Sequence, residues 1–456
     1  MDQSWLLPRS VHEFVPAGHL AHFVRDTVRE ALDLSAIMGC YTEERGQPPY
    51  HPGMLVALLL YGYSRGVYSS RQLARACEER VDFMAVCGLN KPDFRTISDF
   101  RKRHLGALSG LFAQVLRLCA AAGLVKLGHV AIDGTKLRGN ANRHKAMSYG
   151  RMKLAEPRLA AEVQAWFDAA AAADAAEDAQ YGAVQRGDEM PDWVADKQRR
   201  LERIRAAKAI LEAEAQSDPA ELDPEGPGPS SGMQERGNRQ KTTGKKATSQ
   251  KTTDAAPADN TPPDGKAPPD GAQRNFTDPD SRIQPAGGGF VAGYNGQIAV
   301  DAKNQIIVAQ RLTTNPADYA GLAPLVEQTT ANMGGAPHEI SADTGFTSEA
   351  NIKAMKDKGI DPYLCPGRIR HGETDPAGER KFKRKPLMQE MADKLRQQGR
   401  SSPYRLRKQV VEPVFGHIKQ ARGFRQFLLR GLTNVRAEWA MICTAHNLLK
   451  LATARA

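Results

Sequence analysis

The chain has 456 residues, of which 41% are hydrophobic and 25% charged, and its net charge at pH 7 is +11. This composition excludes a fully disordered chain and leaves room for two or three domains. The longest apolar run, residues 54–60, is too short to cross a bilayer, and residues 1–14 lack the pattern of a secretory signal. We therefore expect a cytoplasmic protein without a membrane role.

The positive charge is concentrated in one C-terminal region. Residues 366–436 contain 18 Lys or Arg against 6 Asp or Glu, a net charge of +12, so the rest of the chain nets about −1. A basic region of this kind favours a polyanionic partner such as DNA. The six cysteines include no CxxC pair and no zinc-finger spacing, which predicts reduced thiols.

Residues 1–125 have the apolar periodicity of a helical domain. Three short helices joined by tight turns resemble a helix-turn-helix arrangement, with Arg71, Gln72 and Arg75 on the candidate recognition helix. Plain packing of three helices is the alternative interpretation.

The segment 92–105 that follows is basic. Its cations include Arg101 and His104, which either contact phosphate or face solvent.

The segment GHVAIDGTKLRGNA, residues 128–141, predicts a strand with one apolar face and a single carboxylate, Asp133. Gly134 follows directly, and its missing side chain would let a metal ion or a nucleic-acid backbone approach Asp133. A surface strand with a solvated Asp is the alternative for this segment taken alone.

Residues 148–216 are rich in Ala and Glu and predict a helical hairpin inserted into the domain, and residues 217–285 have the composition of a disordered loop. Two strands, residues 294–300 and 306–312, then predict a β-hairpin. Further on, Asp343 stands where another predicted strand ends, a position at which open sheets commonly bind ligands.

The last predicted helix contains Glu412, Pro413 and Lys419. Because proline removes a backbone donor, the regular helix either starts near Glu412 or kinks there. A Glu among lysines on a helix is usually an exposed ion pair, and that is the alternative for Glu412 taken alone.

Together the three carboxylates have a definite chemical use. Phosphodiester cleavage needs an activated oxygen nucleophile and neutralisation of charge on phosphorus, and two hard cations roughly 3.5–4 Å apart supply both. Asp133, Asp343 and Glu412 would coordinate Mg²⁺ or Mn²⁺ in a two-metal site if the fold brings them together.

These residues carry a family resemblance. The order Asp-Gly-Thr, then Ala-Asp-x-Gly-Phe, then Val-Glu-Pro-Val-Phe-Gly-x-x-Lys resembles the DDE transposases of bacterial insertion sequences. The GYNGQIAVD segment and the Arg-Gly-Leu segment at 430–432 extend it over most of the chain. It implies an α/β fold, an RNase H-like mixed sheet with flanking helices, preceded by an all-α N-terminal domain.

The domains expected from this resemblance are a DNA-binding domain over 1–125 and a catalytic domain over 126–147 and 286–456. The helical hairpin 148–216 and the disordered loop 217–285 interrupt the catalytic domain.

The resemblance also implies roles for the last helix, where related transposases carry a Tyr, an Arg, the catalytic Glu and a Lys. Lys419 matches the last of these and would contact a phosphate near the scissile bond. Lys408 stands at the Arg position and Tyr404 lies one residue too far from Glu412; with Arg407 they are candidate DNA contacts.

The expected function is transposition: binding of terminal inverted repeats, metal-dependent strand cleavage and 3′-hydroxyl transfer to target DNA. The expected partners are double-stranded DNA and a second copy of the chain, in the cytoplasm of a bacterium and associated with its nucleoid. Two alternatives are an RNase H-like nuclease without strand transfer and a catalytically inactive DNA-binding derivative.

Overall fold

The computed structural model describes residues 10–41, 50–181, 192–216, 267–286, 289–367 and 385–455. By internal contacts the chain divides into two units, residues 1–147 with 273–456, and residues 148–272.

The N-terminal region is helical, as the sequence predicts. Pro52 occupies the first turn of the helix Pro52–Ser64, where its missing N–H costs nothing, and Gly88 ends another helix in the left-handed conformation (φ +57°). The helices are α1 (Leu20–Glu30), α2 (Ser35–Met38), α3 (Pro52–Ser64), α4 (Ser70–Glu79), α5 (Val81–Cys87), α6 (Phe94–Arg103) and α7 (Leu105–Ala121).

Two basic residues of this region do not face DNA or solvent, which corrects one expectation. Arg101 is 4% exposed and donates to the Tyr63 hydroxyl (3.3 Å) and the Tyr68 carbonyl (2.9 Å). His104 is also buried and bonds to the Tyr41 hydroxyl. Both side chains tie helices together through these hydrogen bonds, which offset part of the cost of burying polar groups.

The inserted unit contains the predicted helical hairpin, α8 (Tyr149–Tyr181) and α9 (Asp192–Gln216). Leu201, Ile204 and Leu211 form the buried stripe of α9 at helical spacing. Glu156 on α8 pairs with Arg205 (3.2 Å) and Lys208 (2.9 Å) on α9.

The described part of the chain contains eight strands. They are β1 (His129–Arg138), β2 (Ala146–Ser148), β3 (Gln273–Asn275), β4 (Arg282–Ala286), β5 (Gly289–Asp301), β6 (Ile306–Thr313), β7 (Glu339–Ala342) and β8 (Asp361–Leu364). The main sheet runs β4-β5-β1-β7-β8, with β6 paired to β5, and the short β2 and β3 pair separately.

This sheet is mixed. β1, β5 and β6 are antiparallel neighbours, whereas β7 and β8 run parallel to β1. The remaining helices are α10 (Leu322–Met333), α11 (Glu349–Asp357), α12 (Pro386–Gln398), α13 (Leu406–Gly416) and α14 (Leu432–Arg455). The fold class is therefore confirmed: a mixed sheet with flanking helices behind a helical N-terminal region, consistent with an RNase H-like domain.

The expected disordered loop is wrong in its last part. Strands β3 and β4 lie within or at the end of 217–285, and Asp278 between them is fully buried. Its carboxylate accepts from the Tyr294 hydroxyl (2.9 Å) and the Gly431 N–H (3.0 Å). The polar composition predicted a loop, but the buried Asp278 carboxylate forms hydrogen bonds to residues that are distant in the sequence. Residues 217–266 lie outside the described residues.

Pro413 neither starts nor breaks its helix. Helix α13 begins at Leu406, and the carbonyl of Gln409, which Pro413 cannot serve, accepts from the Gln305 side chain at 3.1 Å. A side chain from the β5–β6 turn thus replaces the missing backbone donor.

Within the described ranges no single helix is long and apolar enough to span a membrane; the bent pair α6 and α7 meets those criteria jointly, by length and composition alone.

Candidate active site

Asp133 and Asp343 are neighbours on adjacent parallel strands. Ile132 of β1 pairs with Ala342 of β7, and each aspartate is the next residue along its strand. Paired positions of parallel strands lie about 4.8 Å apart and point to the same face. The register therefore places the two carboxylates side by side, although 210 residues separate them in sequence.

Neighbouring backbone N–H groups hold both carboxylates in place. β7 stops at Ala342, and the Asp343 carboxylate accepts from the Gly345 N–H (2.9 Å), capping the short turn Thr344–Phe346. Asp133 accepts from the N–H of its own neighbour Gly134 (2.8 Å). Each carboxylate is thus oriented by backbone donors next to it in sequence.

Burial makes both carboxylates hard to ionise. Burial raises the pKa of Asp133 to about 6; the Arg407 cation opposes this shift, and the charges of Asp343 and Asp318 add to it. Burial also raises the pKa of Asp343, and the neighbouring Asp318 is the next cause. Carboxylates that repel one another at a buried site favour a bound cation.

Arg407 contacts the site, whereas Lys408 is exposed to solvent. The Arg407 guanidinium donates to Asp133 at 2.8 Å, with side-chain exposures of 11% and 17%. Its Nε is buried without a hydrogen-bond partner. Tyr404 is half-buried with its ring centroid 6.0 Å from that guanidinium, while Lys408 is exposed.

Glu412 lies on the same helix as Arg407 but is exposed to solvent. Helix α13 packs across β1, β5 and β7 through the buried Val410, Val411 and Val414. The Glu412 charge is close enough to favour the Arg407 cation. Glu412 therefore lies on the exposed side of α13, at the rim of the site, and does not form a close group of three with the two buried aspartates.

Lys419 reaches the site from a π-helical turn, His417–Ala421, which directly follows α13. Its ammonium donates to the Thr135 hydroxyl and, at 3.3 Å, to the Lys136 carbonyl. Burial lowers its pKa, and the Asp133 charge opposes that shift. Lys419 thus lies beside β1, two residues beyond Asp133.

A further carboxylate, Asp318, lies at the site and was missed from sequence. It follows β6 and accepts from Asn295 (2.6 Å), Gln297 (3.0 Å) and Lys136 (3.3 Å). An isolated Asp in the segment Asn-Pro-Ala-Asp has no motif around it. The sequence signal that could have indicated this site is the pair of amide side chains, Asn295 and Gln297, spaced two residues apart on β5.

The candidate recognition residues lie on α4. Arg71, Gln72 and Arg75 are all exposed there. Arg71 stacks over the ring of Phe94 at 5.1 Å, and Arg75 pairs with Glu79 at 2.8 Å.

The carboxylate oxygens of the site are ligands of the type that a hard divalent cation binds. Among the described residues, no group of three His, Cys, Asp or Glu side chains is close enough to hold a metal ion. Mg²⁺, however, commonly takes one or two protein carboxylates and completes its shell with water and substrate phosphate. Asp133 and Asp343 would be those two ligands, with Glu412 at the rim.

The structure thus combines a helical N-terminal region with an RNase H-like mixed sheet that carries Asp133 and Asp343 side by side on adjacent strands. Two family models match the chain: a transposase domain of the DUF772 type over residues 9–103 and a transposase DDE domain over residues 253–448. Both are transposase domains, and the pair is consistent with a DDE transposase of an insertion sequence, as the sequence resemblance predicted. No curated protein and no solved structure matches the chain significantly.

The matched ranges divide the candidate residues. Asp343, Arg407, Glu412 and Lys419 lie inside the DDE match, whereas Asp133 lies outside both matches. The assignment of Asp133 to the site therefore depends on the pairing of β1 with β7.

Proposed function

We propose that the chain is a transposase that binds the terminal inverted repeats of its element, cuts DNA in a metal-dependent reaction and joins the 3′-hydroxyl to target DNA. The observation that carries the proposal is the β1–β7 register, which sets Asp133 beside Asp343 beneath the helix that bears Glu412. The two transposase-domain matches support it independently.

Three carboxylates would hold the cations. When bound, Mg²⁺ or Mn²⁺ would activate the attacking oxygen and neutralise charge on the phosphate. Asp133 and Asp343 are oriented for this task by the N–H groups of Gly134 and Gly345. Glu412, which is exposed on α13, would complete the set from the helix side.

The cations around these carboxylates would bind the DNA backbone. Lys419 is held beside Asp133 by Thr135, and Arg407 lies on the opposite approach, against Asp133 itself. Arg407 pairs with Asp133. With a divalent cation on that carboxylate, the guanidinium would be available to bind a phosphate oxygen, because its planar donors suit phosphate as well as carboxylate.

Helix α4 would supply sequence recognition through Arg71, Gln72 and Arg75, and a homodimer would pair the two ends of the element. Exposed Arg and Gln side chains on a short helix are suited to base edges in the major groove.

The test is nicking of a labelled duplex that carries the flanking repeat of the encoding element, with Mg²⁺, with Mn²⁺ and with chelator. We expect metal-dependent cuts at the repeat boundary for the wild type and for Glu390→Gln, a surface control paired with Lys356. Glu412→Gln and Asp133→Asn should lose cleavage and keep binding to the repeat.

The same assay separates the rival functions. Cuts whose 3′ ends never join target DNA would identify a nuclease without strand transfer. Repeat binding without cuts in either metal would identify a non-catalytic DNA-binding protein. Cleavage retained by Asp133→Asn would show that the site lies elsewhere.

A further inference from the structure

Asp318 is held by an unusually complete set of donors. Asn295 and Gln297 are both fully buried on β5, and each directs its side-chain amide to the same oxygen, Oδ1. The Lys136 ammonium adds a third contact and also donates to the Pro316 carbonyl at 2.8 Å. The position of this carboxylate is therefore determined from three directions.

One of these amides is costly to bury. The Asn295 Oδ1 atom is buried and has no hydrogen-bond partner, while its Nδ2 atom donates to Asp318. A buried amide left half-satisfied costs roughly 1–3 kcal/mol. Asn295 thus supplies a donor to Asp318 at the expense of its own unpaired oxygen.

Two glycines make the space that Asp318 occupies. A Cβ at Gly134 would lie 2.7 Å from Asp318 Oδ1, too close for any residue but glycine. A Cβ at Gly345 would lie 3.3 Å from Asp318 Oδ2 and 3.1 Å from Asp343 Oδ1. The glycines that follow Asp133 and Asp343 in sequence thus admit the Asp318 carboxylate.

Asp318 adds negative charge to the site. Its carboxylate lies 3.3 Å from the Lys136 ammonium, and its charge contributes to the raised pKa of both Asp133 and Asp343. Added negative charge beside these carboxylates strengthens the attraction of a divalent cation.

We propose that Asp318 is a positioning residue of the cation site: it neutralises Lys136 and places negative charge beside Asp343, so that the site retains a divalent cation. The inference depends on the proposed function only in assigning that cation to Asp133 and Asp343. Asp318 acts through its neighbours and fixes the charge balance in which the cation binds.

The test is Mn²⁺ affinity of the full-length protein, measured by titration calorimetry and by the spectrum of free Mn²⁺. We expect Asp318→Asn, which keeps the shape of the side chain, to weaken Mn²⁺ binding about tenfold or more. Lys136→Met should strengthen binding, because it removes the opposing charge. Asp278→Asn is the matched control, a buried carboxylate with hydroxyl and N–H donors elsewhere, and should leave Mn²⁺ affinity unchanged.

The opposite effects expected of Asp318→Asn and Lys136→Met on Mn²⁺ affinity distinguish an electrostatic role of Asp318 from a purely structural one. A structural role for the Lys136–Asp318 pair predicts that both substitutions weaken binding, so weaker binding by Lys136→Met would overturn the proposal. Unchanged affinity in Asp318→Asn would overturn it as well. If Asp318→Asn fails to fold, Lys136→Met decides alone.

The same measurements distinguish a failure of this inference from a failure of the proposed function. Wild-type protein that binds Mn²⁺ with the expected variant pattern but does not cut repeat DNA would leave this inference standing and refute the transposase reaction. Cutting by the wild type with unchanged Mn²⁺ affinity in both variants would do the reverse. A wild type that binds no Mn²⁺ would overturn both.

Discussion

Replacing Asp133 by asparagine should stabilise the metal-free protein while removing its activity. Burial raises the pKa of Asp133 from 3.8 to about 6, even with the Arg407 cation at 2.8 Å. The folded protein therefore holds the ionised carboxylate less favourably than the unfolded chain does. Asparagine resembles the protonated carboxyl group in shape and charge, so it removes this penalty.

The size of the effect follows from linkage. A folded pKa above the unfolded value means that stability is full below about pH 4 and is lost as the pH rises to about 6. Each pKa unit corresponds to about 1.4 kcal/mol, so the shift of about two units gives roughly 3 kcal/mol above pH 6. The Asp133 side chain is 17% exposed, so only modest solvent screening reduces this figure.

The assay is chemical denaturation of wild type and Asp133→Asn in chelator at pH 7.5 and near pH 4. We expect a higher midpoint for the variant at pH 7.5, by up to about 3 kcal/mol, and similar midpoints near pH 4. Saturating Mn²⁺ should stabilise the wild type more than the variant. Asp357→Asn, an exposed partner of Lys353, should shift the midpoint by less than about 0.5 kcal/mol.

One result would refute the reasoning. A variant less stable than the wild type at pH 7.5 in chelator would mean that the Asp133–Arg407 pair stabilises the fold by more than burial costs. The elevated pKa of Asp133 would then be wrong, and the site would not be poised for a cation.

Other substitutions have definite outcomes. Gly134→Ala should abolish cleavage by displacing Asp318, whereas Gly335→Ala, with open space around its Cβ position, should cleave normally in the same assay. Arg71→Ala should weaken binding to repeat DNA several-fold without changing the melting temperature, and a flatter salt dependence would support a phosphate contact. Arg101→Met should instead lower the melting temperature by several degrees, since it leaves three helix-bridging acceptors without their donor.

Local patterns in the sequence were enough for β1, β5, β6 and two carboxylates of the site, but not for β4, which lies at the end of the expected loop. β1 alternates apolar and polar residues around Asp133, and a Thr-Gly turn follows Asp343 directly, so both positions can be predicted from neighbouring residues. The helix around Pro413 was ambiguous for a physical reason. The donor that completes it belongs to Gln305, more than a hundred residues earlier, and no local pattern records that contact.

Asp318 and Arg407 show the same limit at the site. Family spacing pointed to Lys408 as the Arg equivalent, yet Arg407 is the residue that contacts Asp133. Neighbouring positions on a helix differ by about 100°, so only the packing of α13 on the sheet decides which side chain faces inward. The sequence does not show that Asp318 belongs to the site. Its amide partners come from β5 and its lysine from β1, and these strands are neighbours only in the folded sheet.

The long interruption between β1 and β5 is compatible with a precisely assembled site. β1 ends at Arg138 and β5 begins at Gly289, yet the strands pair continuously from Val130 to Arg138. Closing a longer loop adds only about 0.6 kcal/mol for each doubling of its length, so the insertion costs little compared with nine paired positions that bury Val130 and Ile132. Strand pairing, and not proximity in sequence, therefore sets Asp133 beside Asp343, and it explains how a candidate site residue lies outside the range that the DDE-domain model matches.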